Sequence, residues 1–318
     1  MRGLVLLGLL LPGACGVPAP HRPAPPPPEP SVSRFALPAH PRVMVFAPHP
    51  DDETIAVGGL LHHLVRQHVP VKVVFVTSGD GYRRALEEGL DVHQPTDADY
   101  LALGERREQE ARAATRRLGL RRRDVSFLGF PDNGLEALWR AHWSRTRPYT
   151  SPFTKEDSPP YPDTVNPDVD YDGQDLLSVL SRLLQDWKPS VVIIPHPYDH
   201  HPDHVHTGYF VIEAVTSLRE RGVLVPSPTV LTYLVHFPNW PATRGPRWDR
   251  AYPLAEVGDT QWTGLDLAPA DLAAKRAALA EYKTQLGAMS GFLHGFLCQN
   301  ELFGTVDGEL LARIASVH

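Results

Sequence analysis

Short, wholly apolar runs alternate along this chain with longer stretches in which apolar positions recur every three or four residues. Val43–Ala47 (VMVFA), Val71–Thr77, 125–128 and Val191–Pro195 read as buried strands. The stretches 52–67, 103–118, 175–187 and 204–221 carry helical spacing, and a strand over 229–236 and a helix near 269–285 follow. This repeating βα order predicts the α/β class: a doubly wound, mainly parallel, Rossmann-like sheet in a single catalytic domain with irregular inserts. One such insert, 139–173, sets Trp139, Trp143, Tyr149, Phe153, Tyr161 and Tyr171 among many prolines, and a loop of that length inside a compact fold is functional or mobile.

Two polar runs stand directly after strands. Pro48-His49-Pro50-Asp51-Asp52-Glu53 follows the first, and His200-His201-Pro202-Asp203-His204 follows the fourth. Open α/β sheets build their sites at the C-terminal ends of strands. If Asp51 begins a helical turn, His49 and Asp52 face one point while Asp51 projects roughly 100° away. One carboxylate can then bind a metal while its neighbour reaches the water on that metal. His201 and His204 are likewise three apart, so one imidazole can complete the site and the other face a substrate. Three protein ligands with an open position describe a catalytic rather than a structural zinc site. Acidic residues after a proline also suit an ordinary helix start, but the recurrence of the pattern at two strand ends argues against that reading alone.

The two runs resemble the signature motifs of the LmbE-like, or PIG-L, family of zinc-dependent N-deacetylases, which carry Ala/Pro-His-Pro-Asp-Asp-Glu after the first strand and a later His-Pro-Asp-His. Residues 105–119 (ERREQEARAATRRLG), 127–135 (FLGFPDNGL) and 188–197 (KPSVVIIPHP) resemble further family segments, so the resemblance covers 42–300. It implies that His49, Asp52 and His204 bind the metal and that Asp51 is the general base. It further implies that His201 stabilises the tetrahedral oxyanion or protonates the leaving amine, with Asp203 orienting that imidazole. Glu53 is expected to hold the loop or the helix start, and His200 to stand behind the site or at its rim. The implied cofactor is Zn²⁺, although mixed imidazole and carboxylate ligation also suits Fe²⁺, Mn²⁺ or Co²⁺. The implied reaction removes an N-acyl group, expected to be acetyl, from an amino sugar or sugar conjugate. An amidase of a larger thiol or peptide conjugate and a non-catalytic carbohydrate-binding lipoprotein are the alternatives. Aromatic residues of the insert would either stack on sugar rings or pin the loop to the body.

Charge and the N-terminal region add to this picture. A net charge of −6 and a pI near 6.2 leave no basic footprint for nucleic acid. Arg106-Arg107, Arg116-Arg117 and Arg121 to Arg123 read as solvated helix faces, whereas Arg83 and Arg84, following Thr77-Ser78-Gly79-Asp80-Gly81, are placed to meet a substrate. Residues 1–16 read as a signal peptide, because the run from Leu4 to Leu11 is too short to span a bilayer. Cleavage before Cys15 would leave a lipid anchor on a bacterial lipoprotein, and cleavage after Gly16 would release a secreted or periplasmic protein. Both predict export. The Pro/Ala-rich segment 17–37 reads as an extended linker, and 38–318 as the catalytic domain. Cys298 then has no disulfide partner and is expected to be a small buried hydrophobe.

Overall fold

The computed structural model describes residues 33–241 and 260–305, together with the isolated positions 245, 257 and 314. The expected signal segment, Cys15 and most of the linker lie outside the described residues. A sheet of eight strands forms the frame, in the order β1 (Ser33–Arg34), β7 (Gln261–Asp266), β8 (Asn300–Thr305), β6 (Thr229–Tyr233), β5 (Val191–Pro195), β2 (Val43–Ala47), β3 (Val71–Thr77), β4 (Val125–Phe130). Among the described strands, β8 alone runs against its neighbours. From β2 the chain builds outward to β3 and β4, then returns to pair β5 with the other side of β2. The order therefore reverses between β2 and β5, the position at which doubly wound sheets open a crevice.

Alternation along β2 shows why both faces are covered. Val43, Val45 and Ala47 pack into one apolar layer with α1 (Asp52–Arg66), α2 (Asp97–Arg117), α6 (Pro269–Leu279) and α7 (Lys283–His294), while Met44 and Phe46 pack into the other with α3 (Leu135–Arg140), α4 (Gly173–Trp187) and α5 (Pro202–Glu220). Every residue of β2 and β5 is buried. The expected helices are present with shifted ends. α2 starts six residues earlier than its apolar spacing suggests, since Thr96 and Asp99 form a reciprocal capping box at a polar first turn. The single helix expected over 269–285 is two, broken at Ala280 to Tyr282. β1, β7 and β8 were not anticipated: β1 has two residues, β7 is only half buried, and β8, though buried, opens on the polar pair Asn300-Glu301.

The insert is held down by its own aromatics. Trp139 packs edge-on against Phe210, with ring centroids 4.9 Å apart, and Trp143 stacks on the same ring at 5.9 Å. Tyr161 donates to Asp80 Oδ2 at 2.5 Å and Tyr171 to the Gly129 carbonyl at 2.8 Å. Tyr161 crosses α2 at Gly104, where a Cβ would collide with its hydroxyl. Of the two roles open to these side chains, the geometry favours pinning the loop to the body.

A buried ion pair fastens α1 to the C-terminal segments. Lys275 Nζ donates to Glu301 Oε1 at 2.7 Å with both side chains fully buried, and Glu301 also accepts the Gly59 and Leu60 amides at 2.8 Å each. Removing one partner leaves an uncompensated charge in the core. Lys275→Met should therefore lose about 3–5 kcal/mol in urea denaturation, and Lys275→Met/Glu301→Gln should recover part of that loss. Equal stabilities for wild type and Lys275→Met would contradict this assignment.

Candidate metal centre

The first polar run turns sharply out of β2. Asp51 adopts φ 126° and ψ −31°, and α1 begins at the next residue. Asp52 folds back so that its Oδ2 accepts the His49 amide at 3.0 Å. Across the sheet, Pro202 opens α5, where a missing N–H is tolerated. His201 caps that helix, its Nδ1 accepting the Asp203 amide at 3.2 Å. Parallel pairing of Val43, Met44 and Val45 with Val191, Val192 and Ile193 thus sets the two runs side by side.

Asp52 Oδ2 lies at their meeting point, 3.2 Å from His49 Nδ1 and 3.1 Å from His204 Nε2. Ligand atoms around one tetrahedral zinc stand about 3.3 Å apart, and both distances from Asp52 to the imidazoles match that spacing. His204 is fully buried and neither of its nitrogens has a partner at hydrogen-bond geometry. Carboxylates stand behind both rings: His49 Nε2 is 3.1 Å from Asp132 Oδ1 and 3.2 Å from Asp203 Oδ2, and His204 Nδ1 is 3.5 Å from Asp199 Oδ2. Such carboxylate–imidazole pairs fix the tautomer and orientation of metal-binding histidines. Three overlapping groups have ligand atoms within 4.8 Å of one another: His49, His201 and His204; Asp52, His204 and His236; and His49, Asp132 and Asp203. The donor set fits a dication.

Asp203 serves a different ring from the one expected. Its carboxylate accepts the Asn133 amide at 2.6 Å and the Leu135 amide at 3.1 Å and faces His49, whereas only its backbone amide meets His201. The expected contact with His201 fails because the side chain at the third position of the motif turns inward under the β4 loop. Asp51 Oδ2 lies 3.5 Å from Arg107 Nη2, whereas Asp52 Oδ2 faces the two imidazoles. Arg107 is buried, donating to the Gly79 carbonyl at 2.7 Å and the Pro50 carbonyl at 2.8 Å, so it is not a solvated residue like exposed Arg106. Its position was readable: Arg107 shares a helical stripe with Leu103, Ala111 and Ala114, all buried. Arg83 and Arg84 instead pair with Glu87 and Glu88 four residues on, at 2.6 and 2.7 Å, on an exposed turn. Exposed His200 lies at the rim against Phe237. Asp132, Asp199 and His236 were missed. Asp199 Oδ2 also accepts the Val235 and His236 amides at 3.0 Å, which holds the His236 ring 4.8 Å from that of His204.

Electrostatics separate the adjacent carboxylates. Burial pushes the Asp51 carboxyl up to about 8, partly opposed by Arg107. Asp52 is also buried, yet the imidazoles of His204 and His49 hold it well below the usual carboxylate range. Burial and the neighbouring His49 and His204 lower His201 to about 3, so this ring is neutral, with Nδ1 accepting and the proton on Nε2. Against the effect of burial, Asp52 and Asp199 raise His204 to about 9, and Asp132 leads the groups that raise His49 well above its ordinary value.

A doubly wound α/β protein with buried imidazole and carboxylate donors gathered at its switch point is the class that fold and site define. Within that class the chain belongs to the PIG-L family, whose model, described as GlcNAc-PI de-N-acetylase, matches residues 44–215. A probable N-acetyl-α-D-glucosaminyl L-malate deacetylase 2 of Bacillus anthracis is 28% identical over 180 residues, covering 56% of this chain and 61% of that protein. A 1D-myo-inositol 2-acetamido-2-deoxy-α-D-glucopyranoside deacetylase of Mycobacterium sp. (strain KMS) is 32% identical over 179 residues, covering 55% and 50%. The chain thus spans between half and two thirds of these relatives. The crystal structure of a conserved protein from Thermus thermophilus shares the fold, with a TM-score of 0.52 at 20% identity over 83% of this chain and 94% of that one.

Because neighbouring carboxylates raise His204 to about 9 and raise His49 above its ordinary value, a dication binding these rings would displace protons. Apparent affinity should therefore rise about tenfold or more per pH unit between pH 6 and 8. Calorimetry in buffers of different ionisation enthalpy should record one to two protons released. Binding without proton release would overturn the assignment of these two rings as ligands.

Proposed function

We propose that this protein is a metal-dependent N-deacetylase that releases acetate from the amide nitrogen of an amino-sugar conjugate. The observation that carries this reading is the convergence of His49 and His204 on one Asp52 oxygen, beside a second buried carboxylate, Asp51. The names of the two relatives, which describe acetylated glucosamine linked to malate or to inositol, support the sugar-conjugate class. His49, Asp52 and His204 would hold the ion, and Zn²⁺ is the ion proposed. Bound there, a dication acidifies a water and polarises an acyl carbonyl.

The protein's own groups divide the proton work. Asp51 is the general base: its carboxylate, whose ionised form is favoured by Arg107 and would be favoured further by a bound dication, takes a proton from the attacking water and later returns it to the leaving amine nitrogen. Neutral His201 turns its Nε2–H towards the carbonyl oxygen as negative charge develops there, which favours the oxyanion-stabilising role over that of an acid. Asp203 and Asp132 keep His49 with its Nδ1 towards Asp52, and Asp199 does the same for His204 Nε2. Water attack and return of the proton yield acetate and the free amine.

Asp52→Ala and His204→Ala should lose bound metal, whereas Asp51→Asn should retain it and lose turnover by ~10²-fold or more. Metal content and acetate release from N-acetylglucosamine conjugates measure this. Near-normal turnover by metal-loaded Asp51→Asn would remove Asp51 from the base role. We further propose export, on the strength of the apolar run from Leu4 to Leu11. Mass spectrometry of the native N-terminus should find a lipid-bearing Cys15 or a chain beginning at Val17, and an unprocessed Met1 would exclude both.

A further inference from the structure

Asp51 occupies a backbone conformation that a side chain other than glycine's rarely adopts, with φ 126° and ψ −31°. Such a residue is strained and persists only where its surroundings over-determine it. Its peptide is held at both ends. Its carbonyl accepts the Thr54 and Ile55 amides at 3.0 and 2.9 Å, which is the ordinary start of α1. Its amide donates to Glu53 Oε2 at 3.3 Å. This second contact requires Glu53 to bend back against its own helix.

What bends it lies 229 residues away. Tyr282, fully buried at the junction between α6 and α7, donates its hydroxyl proton to Glu53 Oε1 at 2.5 Å. The Thr54 hydroxyl donates to the same oxygen at 2.5 Å. Two donors fix Oε1 and leave Oε2 directed at the Asp51 amide. Arg107 Nη2 stands 3.5 Å from the Asp51 carboxylate. Tyr282 lies beyond residues 44–215, so this contact comes from the part of the chain that the family model does not match.

We propose that Tyr282 is a positioning residue for catalysis: through Glu53 it holds Asp51 in the backbone conformation that aims its carboxylate. This rests on the reading of Asp51 as general base. Tyr282→Phe removes one hydroxyl and keeps the buried ring. With N,N′-diacetylchitobiose as substrate, the zinc-loaded full chain carrying this substitution should lose about tenfold or more in kcat, since small misplacements of a reacting group are expensive. KM and zinc content should stay within about twofold.

A purely packing role would give a similar single-mutant loss, and a double-mutant cycle separates the two. In an Asp51→Asn background, Tyr282→Phe should have no further effect on residual turnover. An equal fold-loss in both backgrounds, or unchanged kcat in the single variant, would overturn the proposal. Hydrogen exchange of residues 48–55 reads the same clamp without turnover: exchange should quicken in Tyr282→Phe while β3 and β5 keep their protection, and unchanged exchange would overturn it. A wild-type protein that binds zinc and releases no acetate would defeat the functional reading, while the exchange result would still decide whether Tyr282 holds Asp51.

Discussion

One carboxylate oxygen organises this structure. Asp52 Oδ2 takes the His49 amide, faces His49 Nδ1 and faces His204 Nε2, all within 3.2 Å. Those groups come from two loops more than 140 residues apart, and they meet because β2 and β5 pair side by side at the point where the strand order reverses. The site is therefore a consequence of topology. Residues far along the sequence serve it by holding that crossing rigid: Glu301 and Lys275 tie down α1, and Asp199 ties the loop after β6 to His204.

Adjacent carboxylates ordinarily share an environment, yet Asp51 and Asp52 are driven apart in acidity by their different neighbours. Asp52 looks into two imidazoles, which favour its charged form. Asp51 is buried beside Arg107, which only partly offsets burial. Different neighbours thus leave two adjacent carboxylates suited to different work.

Much of this was legible in the sequence because the relevant signals are local. Apolar runs of β-branched residues gave the inner strands, and the three-residue spacing in each motif placed His49 beside Asp52. Groups that act across the fold were harder to read. Asp132 stands in a loop far from both motifs, Asp199 directly precedes the second one but shares no helical turn with its histidines, and His236 falls in the loop after β6, past a strand that looks merely apolar. Asp203 carries a correct motif position and the wrong expected partner, because its direction depends on the β4 loop packed over it. The aromatic insert illustrates the same limit, since a tryptophan that could stack on a sugar and one that packs against Phe210 are alike until the contact is known.

The central claim is that one dication sits between His49 Nδ1, Asp52 Oδ2 and His204 Nε2. Anomalous diffraction at the zinc edge from crystals of the zinc-loaded protein tests it most directly. The account predicts a single strong peak about 2.0–2.2 Å from each of those three atoms. A peak on the far side of the His49 ring, ligated by Nε2 with Asp132 and Asp203, or no peak among these residues, would contradict it.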